Sequence, residues 1–164
     1  MLALLLAVVT LAAPAVGGAP IDTVGTIELP DQYGGTDSLA AHRGRVVLVL
    51  VVTAKRLRTI RPWEEDLRQR FDGLEILRIT DVPADSKASP VEVAEKLRER
   101  VPDGVSVLLD LERRWATALG LDTGTPNLLV IGPDGALLDA FAGRHDPELA
   151  DRVAASLARR LESP

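Results

Sequence analysis

Residues 46–58 read VVLVLVVTAKRLR, a run of seven apolar residues followed by a polar and basic stretch. The apolar run is mostly β-branched, which is typical of a strand that is buried on both faces. A helical pattern starts at Pro62, a residue type that is favoured in the first turn of a helix. In an open α/β fold, functional residues gather at the carboxyl end of a central strand. The sequence therefore predicts a central strand over Val46–Val52 and a candidate site in the turn that follows it.

The composition limits the chemistry that this chain can perform. Its 164 residues are 46% hydrophobic, which suffices for one domain of about 140 residues with an apolar core. The net charge is −5 and the charges of both signs are interspersed, which argues against a nucleic-acid partner. The chain has no cysteine, so disulfides, thiol catalysis and thiolate metal sites are excluded. Since His42 and His145 are its only histidines, we predict neither a metal site nor a cofactor.

The N-terminal stretch has the features of a targeting segment. No side chain from Met1 to Ile21 is charged, and the apolar run LALLLAVVTLAA is followed by the small residues of Ala13-Pro14-Ala15. This pattern predicts a secretory signal peptide over residues 1–19, with residues 20–164 forming the folded domain. The alternative is an uncleaved membrane anchor, which would be the only contact with a membrane. Both interpretations place the domain outside the cytoplasm, either in a periplasm or secreted.

The rest of the chain alternates strand and helix patterns and ends with a tight Pro-Asp-Gly turn and a final helix. Besides the central strand, the predicted strands are Val24–Leu29, Leu74–Thr80, Val105–Leu109, Asn127–Ile131 and Ala136–Phe141. The predicted helices are Pro62–Phe71, Pro90–Arg100, Leu111–Leu119 and Pro147–Leu161. This order predicts an α/β fold in which a mixed sheet of four or five strands is flanked by helices.

Three motifs in this order resemble the thioredoxin-like superfamily, in particular the extracytoplasmic redoxins of the TlpA and AhpC/TSA (peroxiredoxin) types. Residues 38–49 (SLAAHRGRVVLV) are similar to the family's entry into its central strand, and Pro62 is similar to the proline of its first long helix. Gly124-Thr125-Pro126, followed by a strand and by residues 132–135 (GPDG), is similar to the family's cis-proline loop and terminal hairpin. The resemblance covers about residues 24–161. It implies a three-layer α/β/α sandwich with a C-terminal β-hairpin and helix, and a cis peptide bond before Pro126.

The chain departs from this family at the catalytic motif. The family's spacing places the two cysteines of Cys-x-x-Cys at Ala54 and Leu57, and a peroxiredoxin-like alignment places a single cysteine near Arg56. Thiol chemistry requires a thiolate, which these three residues do not supply. We therefore predict that no catalytic residue remains and that the dithiol and peroxidase activities of the family are lost.

The basic turn itself has two interpretations. Lys55, Arg56, Arg58 and Arg61 place four cations within seven residues, and these can bind an anionic ligand or an acidic partner segment. The alternative is a solvated loop whose charges pair with acids such as Glu64 and Glu65. The resemblance adds Thr125 and Pro126 to the candidate binding residues. A cis-proline loop beside the active site exposes a backbone edge that pairs with an extended peptide.

We predict an exported protein of thioredoxin-like fold that lacks the redox-active cysteines and has a non-catalytic binding or scaffold role. Its expected partner is an extracytoplasmic protein or peptide. One alternative is a thiol–disulfide oxidoreductase or peroxiredoxin assigned by homology, and another is a non-redox enzyme that uses the basic turn for anion chemistry. A third is a redox partner whose thiols are supplied in trans.

Overall fold

The computed structural model describes residues 21–83 and 85–161, so the predicted signal peptide lies outside the described residues. Between residues 21 and 161, no helix combines the length and hydrophobicity that a bilayer crossing requires. Two short 3₁₀ helices span Leu39–His42 and Ala54–Ile60. The α-helices are α1 (Ile21–Gly25), α2 (Arg61–Arg70), α3 (Pro90–Arg100), α4 (Arg114–Leu119) and α5 (Pro147–Leu161). The strands are β1 (Leu29–Pro30), β2 (Thr36–Asp37), β3 (Val47–Thr53), β4 (Glu75–Asp81), β5 (Leu108–Asp110), β6 (Asn127–Ile131) and β7 (Leu137–Ala142).

The main sheet has five strands in the order β5-β4-β3-β6-β7. Strand β3 runs parallel to β4 and antiparallel to β6, and β6 and β7 form the predicted C-terminal hairpin. The mixed α/β sheet and the position of its central strand confirm the predicted fold class. Because β3, β4 and β5 are parallel, residues that follow these three strands lie at one edge of the sheet, which we call the carboxyl edge.

The core is divided between the two faces of this sheet. Residues 48, 50 and 52 of β3 pack against the apolar faces of α2 and α5. Residues 47, 49 and 51 pack on the opposite side, with α1 and α4. This alternation buries β3 on both faces, as its continuous apolar sequence predicts. The result is the three-layer sandwich, with the sheet between two layers of helices.

The predicted first strand over Val24–Leu29 is wrong. Residues Ile21–Gly25 form α1, and the only strand here is the two-residue β1, which pairs with β2 outside the main sheet. Ile21 and Val24 are both buried, and their spacing of three places them on one face of a helical turn. Only Val24 and Gly25 of the predicted strand lie in this helix, which covers the sheet, and Leu29 begins β1.

Strand β5 is shorter than the predicted strand over Val105–Leu109. The Gln32 side chain donates to the carbonyl of Val105 at 2.7 Å and accepts from the N–H of Val107 at 2.8 Å. These two backbone groups are thus bound to a side chain instead of to the neighbouring strand β4.

Helices α2 and α5 are connected by a network of charged side chains around Asp66. Its two carboxylate oxygens accept hydrogen bonds from Arg70 Nε at 2.7 Å and, on the other side, from His145 Nε2 at 2.9 Å. Arg70 also binds Asp151 of α5 at 2.7 Å. Burial alone would raise the pKa of Asp66, but the bonds from Arg70 and His145 outweigh it and hold that pKa below its ordinary value.

This network predicts an acid-sensitive contribution to stability. Because the pKa of Asp66 is lower in the folded state, its stabilisation is complete above the ordinary carboxyl pKa of 3.8 and is lost as the pH falls through the folded-state value. We expect Asp66→Asn to lower the free energy of unfolding by about 1–2 kcal/mol at neutral pH, and by less at a pH below 3.8. Urea unfolding of both proteins at the two pH values tests this. A difference that stays constant with pH would contradict the role of the Asp66 charge.

Candidate binding site

The turn after β3 is a 3₁₀ helix, and its geometry sorts its side chains into two sets. Residues three apart eclipse one another in such a helix. Ala54 and Leu57, which match the family's cysteine positions, both pack against the cluster of apolar residues beneath α3. Leu57 also contacts the core between β3 and α2. Ala54 and Leu57 are thus half-buried and face apolar residues, while Lys55, Arg56 and Arg58 are exposed to solvent.

The acidic residues near this turn neutralise one of its four cations. Arg61 binds Glu65 at 2.7 Å, whereas Glu64 binds Arg78 of β4 at 2.5 Å. Among residues 21–83 and 85–161, the side chains of the other three cations form no hydrogen bond or ion pair. The alternative interpretation, in which the cations pair with neighbouring acids, therefore holds for Arg61 only. The three free cations, Lys55, Arg56 and Arg58, are called the basic turn below.

The loop before β6 lies directly beside the basic turn, because the N–H of Thr53 donates to the carbonyl of Thr123 at 2.9 Å. The predicted cis bond before Pro126 is wrong, since the described residues contain no cis peptide bond. Trans is the lower-energy isomer unless tertiary contacts select cis. Here the Asn127 amide donates to the carbonyls of Asp122 and Thr125, both at 2.9 Å, and so holds the trans loop from inside.

The backbone of this loop is largely bound within the protein. The carbonyl of Thr125 accepts from Asn127 and its N–H donates to Asp122 at 3.4 Å. Pro126 is buried, and its carbonyl accepts from the N–H of Gly143 at 3.0 Å. Thr125 is half-buried, whereas Asp122 and Gly124 of the same loop are exposed.

A buried carboxylate lies beneath the same edge, and the sequence reasoning did not single it out. Asp81, the last residue of β4, is 1% exposed and pairs in register with Thr53 of β3. Its carboxylate accepts from Arg113 Nε at 3.1 and 3.2 Å and from the Thr123 hydroxyl at 2.5 Å. In the sequence, the position of Asp81 at the end of a strand is only a weak indication that it belongs to a site. The partners that give it a defined role lie 32 and 42 residues further along the chain.

The two histidines are held separately and do not join this site. His42 lies between Asp37 at 2.9 Å and Glu75 at 3.3 Å, and His145 binds Asp66. In the part of the chain that the structure describes, no three residues of the types His, Cys, Asp or Glu are grouped as a metal site would require. The exposed cations of this turn that have no acidic partner among the described residues are Lys55, Arg56 and Arg58.

The fold is thioredoxin-like, and the sequence contains no cysteine. Comparisons with solved structures give the same fold. The structure of the pneumococcal exposed lipoprotein thioredoxin Etrx1 from Streptococcus pneumoniae TIGR4 is 16% identical with a TM-score of 0.63, and the match covers 79% of this chain and 97% of that one. A protein described as a thiol:disulfide interchange protein DsbE from Chlorobium tepidum is 17% identical with a TM-score of 0.64, over 88% and 96% of the two chains.

Peroxiredoxin Q from Xanthomonas campestris is similar as well, at 14% identity and a TM-score of 0.61, over 88% of this chain and 98% of that one. No protein-family model matches the sequence, and no curated protein matches it. At these identities the similarities establish the thioredoxin-like fold of this chain.

Proposed function

We propose that this protein is a non-catalytic binding protein that recognises an acidic segment of a partner protein at its carboxyl edge. The observation that carries the proposal is the basic turn: three exposed cations without an acidic partner, at the place where the redoxins of this fold carry their nucleophile. The protein has a net charge of −5, so this local excess of positive charge is contrary to the overall balance.

The geometry of the turn supports binding rather than thiol catalysis. Ala54 and Leu57 pack inward and complete the apolar contacts with α3. The exposed surface of this turn consists of Lys55, Arg56 and Arg58, and we include Thr125 and Pro126 of the neighbouring loop in the proposed site. Such flexible cations attract an acidic segment electrostatically, and the attraction weakens with salt.

We further infer that the protein works outside the cytoplasm. The uncharged, apolar sequence of residues 1–21 supports export, with cleavage near residue 19 or retention as an anchor. One of the proteins with the same fold is described as an exposed lipoprotein. The proposed partner is accordingly an extracytoplasmic protein or peptide.

Reversing the charges of the basic turn tests this function. A fluorescein-labelled peptide of alternating glutamate and serine serves as the acidic probe, and its binding to the full chain is followed by fluorescence anisotropy. We expect the Lys55→Glu/Arg56→Glu/Arg58→Glu variant to bind about tenfold more weakly or worse at low salt, since three favourable charge contacts become unfavourable. The affinity of the wild-type protein should fall steeply as salt is added.

Helix α3 offers a matched control. Lys96, Arg98 and Arg100 are also one lysine and two arginines, are exposed, and lie on another element. The Lys96→Glu/Arg98→Glu/Arg100→Glu variant carries the same net charge as the test variant and should bind the probe nearly as well as the wild type. Equal losses in the two variants would mean that net charge alone governs binding, and would refute the proposed site.

A further inference from the structure

Arg113 occupies a conformation that its residue type does not favour. Its φ of 57° and ψ of 28° lie in the left-handed region, and it is the only residue other than glycine with positive φ among those described. A side chain at such a position costs about 1 kcal/mol, which glycine would avoid. Strain of this kind is often retained where the side chain has a task at a site.

The guanidinium of Arg113 is bound on one side only. Its Nε donates to both oxygens of Asp81, a carboxylate that is 1% exposed, whereas the Arg113 side chain is 42% exposed. Within residues 21–83 and 85–161, its two terminal nitrogens make no hydrogen bond. The buried acid therefore fixes the inner edge of the guanidinium and leaves the outer nitrogens to solvent.

This fixed guanidinium lies at the same edge as the basic turn. Asp81 pairs in register with Thr53, the residue before the turn, and neighbouring strands are about 4.8 Å apart. The Thr123 hydroxyl binds the same carboxylate, and the Thr123 carbonyl accepts from the N–H of Thr53. Arg113 is thus linked to the start of the turn through Asp81 and Thr123.

We propose that Arg113 is the specificity-determining residue of this edge, binding one carboxylate of an extended acidic peptide through its terminal nitrogens. This inference rests on the proposed function. The fork of an arginine matches the two oxygens of a carboxylate, which gives the bound group a defined position. Because Asp81 neutralises Arg113 at long range, the basic turn provides the attraction, and Arg113 provides the short-range hydrogen bonds that fix the register of the peptide.

A binding experiment distinguishes the role of Arg113 from that of the basic turn. It uses the same glutamate–serine peptide, amidated at its C-terminus. Arg113→Lys keeps the charge and the bond to Asp81 but lacks a fork that can hold two carboxylates at once. We expect it to weaken binding about tenfold while leaving the salt dependence unchanged. The triple reversal of the basic turn should instead weaken binding and flatten the salt dependence.

A second peptide distinguishes the source of the carboxylate. It has glutamine in place of glutamate and a free C-terminus. If Arg113→Lys weakens the binding of the first peptide alone, Arg113 binds a side-chain carboxylate, and if it weakens the binding of both peptides, Arg113 binds the α-carboxylate as well; each result supports carboxylate recognition. Peptide binding that is as tight with Arg113→Lys as with the wild type would overturn the role of Arg113 and leave the proposed function intact.

A measurement on the wild-type protein guards against a variant that fails to fold. In nuclear magnetic resonance spectra, the amidated glutamate–serine peptide should shift the Arg113 Nε–H signal and the amide signals of Asp81 and Thr123. Unmoved Arg113 signals at saturating peptide would refute this inference, even if the basic-turn amides shift. If the wild type binds neither peptide, the proposed function fails together with it.

Discussion

The Ala54→Cys/Leu57→Cys variant is expected to form an internal disulfide on oxidation, whereas the natural protein has no thiol chemistry at all. In the 3₁₀ helix over Ala54–Ile60 these two positions lie one turn apart and on the same side. The rise over three residues is about 6 Å, within the range of Cα separations that a disulfide spans. Mass spectrometry after alkylation measures the bond, and insulin reduction measures the activity that it supports.

The single variants Ala54→Cys and Leu57→Cys are the controls for this experiment, because neither can close an internal bond. We expect no turnover of insulin or peroxide by the wild type and measurable insulin reduction by the double variant. Two alkylated thiols in the oxidised double variant would show that the turn is not the equivalent of the redox site. Turnover by the wild type would contradict the loss of catalysis.

Truncation of Trp63 is expected to give the largest loss of stability of any single change in the turn and helix α2. Its side chain is fully buried in the core between α2 and α5. The indole N–H donates to the carbonyl of Gly143 at 3.3 Å, and the ring meets His145 edge-on at 4.9 Å between centroids. We expect Trp63→Ala to lower the free energy of unfolding by about 3–5 kcal/mol, a large share of a typical domain's total. Urea unfolding followed by circular dichroism measures the change.

Two further variants make this result specific. Val91→Ala removes an apolar side chain that is 64% exposed on α3, and its effect should lie within about 0.5 kcal/mol of zero. Trp63→Phe keeps most of the apolar contact but loses the bond to Gly143, so its cost should be intermediate. If the Trp63→Ala variant were as stable as the Val91→Ala variant, the burial of the Trp63 side chain between α2 and the sheet would be contradicted.

The sequence predicts those parts of the fold that local patterns encode. The β-branched run of β3 and the Pro-Asp-Gly turn before β7 specify a buried strand and a hairpin without reference to distant residues. The strand predicted over Val24–Leu29 is wrong because Val24, together with the buried Ile21 three residues earlier, occupies one face of a helical turn. The cis bond expected before Pro126 came from the resemblance to the family, and no residue pattern of this chain requires it.

In the candidate site, too, the residues that can be predicted are those that a local sequence pattern reveals. The basic turn is visible in the sequence because its three cations lie within four residues and follow a clear strand. The role of Arg113 is not, since it depends on a buried acid 32 residues earlier and on a positive φ at a residue type that gives no sign of it. Nor does the sequence tell which cations are free, because Glu64 pairs with Arg78 across the fold and only Glu65 pairs within the turn.

The central position of β3 has a consequence for how the chain is made. Its parallel neighbour β4 follows within about 30 residues, but its antiparallel neighbour β6 begins at Asn127. During synthesis, one edge of an uncharged VLVLVV segment therefore stays open until most of the protein has left the ribosome, and open apolar strands of this kind associate with one another. Arg43 and Arg45 precede the segment and the basic turn follows it, so that two nascent chains meeting at this strand bring like charges together.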